Sequence, residues 1–219
     1  MYWEEDDNEE QFLVPDDVMD LLFQIDCPAL PVDHAWPLSR EIQQVLPWFE
    51  EEPKAGLHLI HGAESGNGWE RPQAADDLLM LSRRVKLELR LPRHRIPDGE
   101  MLSGATLDVA GYKLVVGKPK TRRLSMTNFL YSRYVAADKD WSEDDFMSWA
   151  VQELQDTGVR FRKALCGKAA RFNTPNGTLH TKSLMIADLS YEDAVTLQES
   201  GIGPHRTMGC GLFIPQKSF

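Results

Sequence analysis

The chain has 219 residues, 42% hydrophobic and 26% charged, with a formal net charge of −10; that length suits one large domain or two of about 100 residues each. No apolar run reaches the roughly 18 residues of a membrane helix, and the acidic start "MYWEEDDNEE" is unlike a signal peptide. Three cysteines (Cys27, Cys166, Cys210), odd in number and without metal-type spacing, point to a reducing cytoplasm and away from a disulfide framework.

Residues 1–16 have the polar, acidic composition of a disordered tail. Residues 18–27 read as a strand, although their apolar period is ambiguous. Three prolines then break the chain. Residues 38–49 put Leu38, Ile42, Val45, Leu46 and Phe49 at helical spacing, with Pro47 near the end. "AGLHLIHG" (55–62) is a short, glycine-bounded strand, and 64–77 is a loop by composition. Residues 78–92 read as one strand whose second half alternates Val85, Leu87, Leu89 and Leu91 with Lys86, Glu88 and Arg90. A short helix and the start of a strand occupy 98–111, and a strand over 112–124 runs into a basic segment.

The second half has the same order. A strand over 129–137 precedes the clearest helix, 142–158, with Ser142 as N-cap, acidic residues in the first turn and Gly158 as stop. Residues 159–167 alternate as a strand, and "PNG" turns a hairpin into another strand. A helix over 190–201, capped by Ser190, leads to a closing strand in "GCGLFIPQ". The fold class is α+β: two tandem ferredoxin-like (RRM-like, βαββαβ) domains, 17–120 and 121–219, with a glycine-rich loop at 201–211.

Residues 1–80 hold 19 acidic and 3 basic side chains, and the remainder 15 and 21. An anionic ligand responds to this local field more than to the total. The cations gather in groups: Arg83 and Arg84; Lys118, Lys120, Arg122 and Arg123; Arg160, Arg162 and Lys163 along a strand; Lys168 and Arg171; His180 and Lys182. Two sheets with such a seam form a groove able to follow a phosphate backbone, and no aromatic pattern for stacking single-stranded bases is evident. The alternative is an ordinary solvated surface.

No metal-binding spacing is present; the histidines of "HLIH" (His58, His61) point to opposite faces if they lie on a strand. His34, between the first strand and first helix, is the leading candidate for proton transfer, followed by His61 and His205; each is otherwise a capping or solvated histidine. Gly201, Gly203, Gly209 and Gly211 allow either a backbone anion nest, with His205 and Arg206 as auxiliary contacts, or a mobile turn.

The stretches "LPVDHAWPLSREI", "LPWFEEEPKAGLHLIHGAESG", "LLMLSRRVKLELRLP" and "LQESGIGPHRTMGCGLFIP" resemble the CRISPR-associated endoribonucleases of the RAMP superfamily, which cut precursor guide RNA within its repeats. The resemblance covers about residues 17 to 217. It implies cleavage of a repeat stem-loop without metal or other cofactor, by attack of a ribose 2′-OH on the adjacent phosphate. It further implies that the product stays bound and that partners include precursor and mature guide RNA and other subunits of a CRISPR effector complex. His34 matches the family's histidine as general acid/base; Ser39 and Lys54 lie near it in sequence as candidate phosphate contacts. The tyrosine that often accompanies the histidine has no match, Trp36 being nearest. Two alternatives remain open: a non-catalytic guide-binding subunit, and a small-molecule-binding pair of domains.

Overall fold

The computed structural model describes residues 12–61 and 77–216. Strand β1 (Val18–Asp26) buries Leu21 and Phe23 on one face and places Asp20, Leu22 and Gln24 on the other. After the short β2 (Ala29–Pro31) comes helix α1 (Ala35–Val45), whose buried stripe is Ala35, Leu38, Ser39 and Ile42. The helix starts before the expected 38–49 because Pro37 fits in its first turn, where a backbone N–H has no helical partner anyway. It stops at Val45 because Pro47 drives Leu46 out of the helical region (φ −120°, ψ 78°). Pro47–Phe49 then forms its own 3-10 turn.

Strand β3 (Gly56–His58) precedes β4 (Leu78–Met80) and β5 (Lys86–Pro92). The single strand expected over 78–92 is thus two strands. Ser82 splits it: its carbonyl accepts from the Val85 N–H at 3.1 Å and its hydroxyl from the Arg84 N–H at 3.4 Å. Strand β4 pairs with β2 in a separate ribbon. The loop expected at 64–77 lies, except for Asp77, outside the described residues, as does most of the expected acidic tail. Of that tail, Phe12 and Val14 pack against Val18, Leu124 and Val195.

Helix α2 (Ile96–Gly99), β6 (Thr106–Val109) and β7 (Tyr112–Arg123) complete the first half. The second half contains β8 (Phe129–Ala136), α3 (Glu143–Asp156), β9 (Lys163–Thr174), β10 (Gly177–Ala187), α4 (Tyr191–Ser200) and β11 (Ile214–Pro215). Ser142 forms a capping box with Asp145, and Ser190 caps α4. The strand expected at 159–167 begins only at Lys163, so Arg160 and Arg162 sit in the loop before it. The closing strand contracts to Ile214–Pro215 because Gly209 and Gly211 adopt left-handed φ values of 88° and 68°.

The two larger sheets are ordered β3-β5-β1-β7-β6 and β11-β8-β10-β9, with every neighbour antiparallel. Apart from the added edge strand β6, both have the arrangement of a ferredoxin-like unit. The first sheet runs to Arg123 and the second begins at Phe129. Leu38, Ile42 and Ile96 cover one face of the first sheet, and Phe146, Leu154 and Leu197 one face of the second. Tyr134, Phe172 and Cys210 from the second half are buried in the first core, joining the units. Among the described residues no helix is long and apolar enough to cross a membrane.

Candidate nucleic-acid interface

The face of the first sheet opposite its helices carries the polar residues of the alternation. Register places Gly56, Arg90, Asp20 and Arg122 in one row and His58, Glu88, Leu22 and Lys120 in the next. Asp20 is buried and accepts from Arg90 Nε at 2.9 Å and Arg122 Nη2 at 3.0 Å, with His58 Nε2 at 3.4 Å. Burial alone would raise the Asp20 carboxyl. The Arg90 and His58 charges and hydrogen bonds outweigh it and hold the group well below its ordinary value.

Two guanidinium groups lock this face to the second unit. Arg90 donates to the carbonyls of Gln198, at 2.9 Å, and Phe213, at 2.8 Å. Arg206 donates to the carbonyls of Glu199, Ser200, Lys54 and Ala55. Both cap the C-terminal end of α4, whose unpaired carbonyls and dipole favour positive charge. Burial, with the nearby Arg90 charge, brings Arg206 down to about 10. Arg206, expected as an RNA contact, is therefore an internal cap.

The glycines serve the same seam. A Cβ on Gly211 would stand 2.0 Å from the Ile202 carbonyl oxygen, and one on Gly201 2.2 Å from the Gly211 oxygen. Gly211 N–H in turn donates to the Tyr134 carbonyl at 2.7 Å. Gly209 and Gly203 pack on Leu59 and Trp149. These four positions permit close packing of chain on chain. Of the expected contacts in this loop only His205, exposed in a left-handed conformation, is turned outward.

Between the two units lies a cleft of about 510 Å³. His61 lies on its wall with its ring stacked on Tyr134, centroids 6.0 Å apart. Arg84, Lys86, Arg122 and Arg133 supply the cationic lining. His58 lines it too: β3 ends at His58, so strand alternation does not apply to His61 and both histidines face one cleft. Among the described residues no group of three or more His, Cys, Asp or Glu side chains is placed to hold a metal ion.

His34 is elsewhere. Its ring is fully buried, with Nδ1 2.9 Å from the Pro31 carbonyl and Nε2 accepting from the Ile60 N–H at 3.2 Å. A carbonyl requires a donor and an N–H an acceptor, so the ring is the neutral Nδ1–H tautomer. Both nitrogens tie the turn before α1 to the segment after β3. This corrects the expectation of a histidine facing a ligand. Ser39 is also fully buried, its hydroxyl accepting from Gln43 at 3.1 Å, and Lys54 is ion-paired with Glu199 at 3.3 Å. Neither reaches the cleft lining.

The other basic residues divide. Arg83 is exposed in the turn beside Arg84. Lys118 and Lys120 are exposed on β7, while Arg123 turns to Val14 and Asp16. Arg122 also pairs with Glu88 at 2.7 Å. Arg160 and Lys163 pair with Asp193 and Asp188. Arg162, Lys168 and Arg171 are exposed in or just before edge strand β9, and the half-buried His180 is opposite Arg171 in the register. Lys182 is directed inward, over the Phe146 ring and toward the Trp141 carbonyl. The cleft residues missed by sequence were His58, Lys86 and Arg133. For Lys86 the signal existed: it is on the polar side of the 85–91 alternation.

The family model for Cas6 Crispr matches residues 19–218. The chain belongs to the Cas6 family. A curated relative, the CRISPR-associated endonuclease Cas6 of Myxococcus xanthus (strain DK1622), is 28% identical over 197 residues, covering 90% of this chain and 81% of the relative. Two solved structures share the fold. One is an RAMP protein binding different RNA substrates, with TM-score 0.63, 15% identity and coverage of 90% and 98%. The other is a Cas6-related protein from Pyrococcus furiosus, with TM-score 0.59, 14% identity and coverage of 90% and 97%.

Proposed function

We propose that this Cas6 protein cuts CRISPR repeat RNA in the cleft between its two ferredoxin-like units, and that His61 is the proton-transfer residue. The observation that carries the reading is an imidazole on the wall of a cleft lined by Arg84, Lys86 and Arg133. Membership of a family with a curated CRISPR-associated endonuclease supports the reaction class. A structural neighbour of similar fold, Thermus thermophilus Cse3 bound to an RNA representing a pre-cleavage complex, supports an RNA substrate.

In the step, a ribose 2′-oxygen gives its proton to a base and bonds to the adjacent phosphorus. The bond from phosphorus to the 5′-oxygen breaks, and that oxygen takes a proton. The products are a 2′,3′-cyclic phosphate and a 5′-hydroxyl. Imidazole suits either transfer near neutral pH, and cations stabilise the charge that develops on the phosphoryl oxygens. No metal is needed for these transfers. The cut product stays in the cleft, held by the same cations.

The experiment is cleavage of the cognate repeat RNA in EDTA by wild type and His61→Ala. Sustained wild-type cleavage to a cyclic phosphate, with loss in His61→Ala at unchanged RNA affinity, supports the reading. Cleavage abolished by chelation, or undiminished in His61→Ala, refutes the metal-free step or the role of His61. The burial of His34 favours a second reading, a guide-holding subunit that does not cut. That reading expects tight RNA binding and no cleavage of any repeat.

A further inference from the structure

The sheet faces that flank the cleft differ in chemistry, with Lys86, Glu88, Arg122, Arg133 and Ile214 reaching its lining and the rest of each face continuing beside it. The first sheet presents charged and polar groups: Lys86, Glu88, Lys120 and Arg122. On the second sheet Leu130 is buried beneath α3 and α4, so Tyr131 stands on the opposite face. Register aligns Tyr131 with Ile214 on β11, Met185 on β10 and, beyond it, Leu165 on β9. That row crosses all four strands and is apolar from edge to edge. Leu165 is 56% exposed, and Ile214, Tyr131 and Met185 are each partly exposed. Ile214 and Arg133 are also part of the cleft lining, and the Arg133 guanidinium lies over the Tyr131 ring, 5.9 Å from its centroid.

We infer that Tyr131 is a stacking platform for an unpaired base of single-stranded RNA, with Met185 and Leu165 extending the apolar surface under it. This rests on the RNA reading above and adds a division of labour: phosphates toward the cationic first sheet, bases toward the apolar row of the second. Three things favour RNA as the occupant. A planar ring beside a guanidinium matches a base followed by its phosphate. Cations lie on both sides of the row, Lys163, paired with Asp188 at 3.2 Å, near Leu165 on β9 and Arg133 at the cleft. The opposing wall bears Arg84 and Lys86 within the same cleft.

The test uses the full chain, an oligouridine probe, and a repeat RNA carrying 2-aminopurine in its single-stranded flank. Wild type, Tyr131→Ala and Tyr131→Phe are compared, with unfolding curves as a check that each variant is native. Tyr131→Ala is expected to weaken oligouridine binding by roughly 5- to 150-fold, the range for loss of one base–aromatic stack. Tyr131→Phe should bind like wild type. The salt slope should be the same in all three, because stacking neutralises no phosphate. Binding should quench the 2-aminopurine in wild type and not in Tyr131→Ala. Unchanged affinity and quenching in a folded Tyr131→Ala overturns the platform. So does equal loss in Tyr131→Phe, which would mark a hydroxyl contact. A wild type that binds oligouridine but cuts no repeat RNA refutes the processing reading and leaves the platform standing; one that cuts repeat RNA but binds no single-stranded RNA overturns the platform alone.

Discussion

Arg90, on β5 of the first sheet, donates a 2.8 Å hydrogen bond to the carbonyl of Phe213 near the end of the second unit, 123 residues away in sequence. The same guanidinium holds Asp20 at 2.9 Å. One buried side chain thus joins the first sheet, the end of α4 and the last segment of the chain.

Removing it leaves two carbonyls without this donor and the buried Asp20 carboxylate with only Arg122 and His58 beside it. Arg90→Met is expected to destabilise the protein by about 3–5 kcal/mol, the usual cost of breaking a buried pair from one side. Urea unfolding checks this. The double change Arg90→Met with Asp20→Asn should recover part of the loss, because the buried, under-compensated charge is gone.

Asp20 also sets an acid limit. Its folded value lies below the ordinary 3.8, so the folded state holds the proton less tightly than the unfolded chain. The stabilisation is complete above that ordinary value and is lost as pH falls through the folded one. Asp20→Asn should flatten the acid limb of stability against pH below about 4, as measured by urea midpoints, with a lower plateau near neutrality.

His34 and His61 should separate cleanly. His61→Ala is expected to slow cleavage by about 10²- to 10⁴-fold, the scale of a lost acid–base group, with little change in Tm. His34→Ala removes two hydrogen bonds inside the core and should cost about 1–3 kcal/mol of stability. Its cleavage rate at low temperature should stay near wild type. Single-turnover rates and thermal melts on the same samples decide between them.

Gly211→Ala brings a Cβ to 2.0 Å from the Ile202 oxygen and forces a left-handed φ of 68°. It should destabilise far more than Gly177→Ala, where nothing lies within 4 Å; about 1 kcal/mol is expected at Gly177 from backbone conformation alone. Denaturant midpoints of the two variants compare them directly.

Arg84→Ala should lower RNA affinity and reduce the salt slope by about 0.7 to 0.9, one phosphate contact. Lys182→Ala, whose ammonium lies over Phe146, should leave that slope unchanged and lower stability instead. Filter binding across a salt series reads both.

Much of the fold was legible because it rests on local patterns. The alternation at Val85–Leu91 and the Ser142 cap each announce one element, and the repeated order announces two units. The misread boundaries have local causes of a subtler kind: Pro37 tolerated in a first turn, Ser82 folding back on Val85. The site was harder. His34 sits where a helix begins, and nothing in sequence tells a buried tautomer from an exposed acid. His61 was judged by strand alternation, but its strand ends three residues earlier at His58. Arg206 looked like an RNA contact because two of its four carbonyl partners, Lys54 and Ala55, are about 150 residues away, and the other two become partners only once α4 ends beside it.

The arginine cap on α4 ties the two halves of the molecule to the integrity of a single helix end. The angle between the walls of the cleft is consequently set in part by Arg206, Glu199 and Ser200, which lie outside its lining. Variation at Glu199–Gly201 would reshape what the cleft admits while leaving the cationic lining of Arg84, Lys86, Arg122 and Arg133 in place. The joint is thus a place where the shape of the cleft can change without altering its cationic lining.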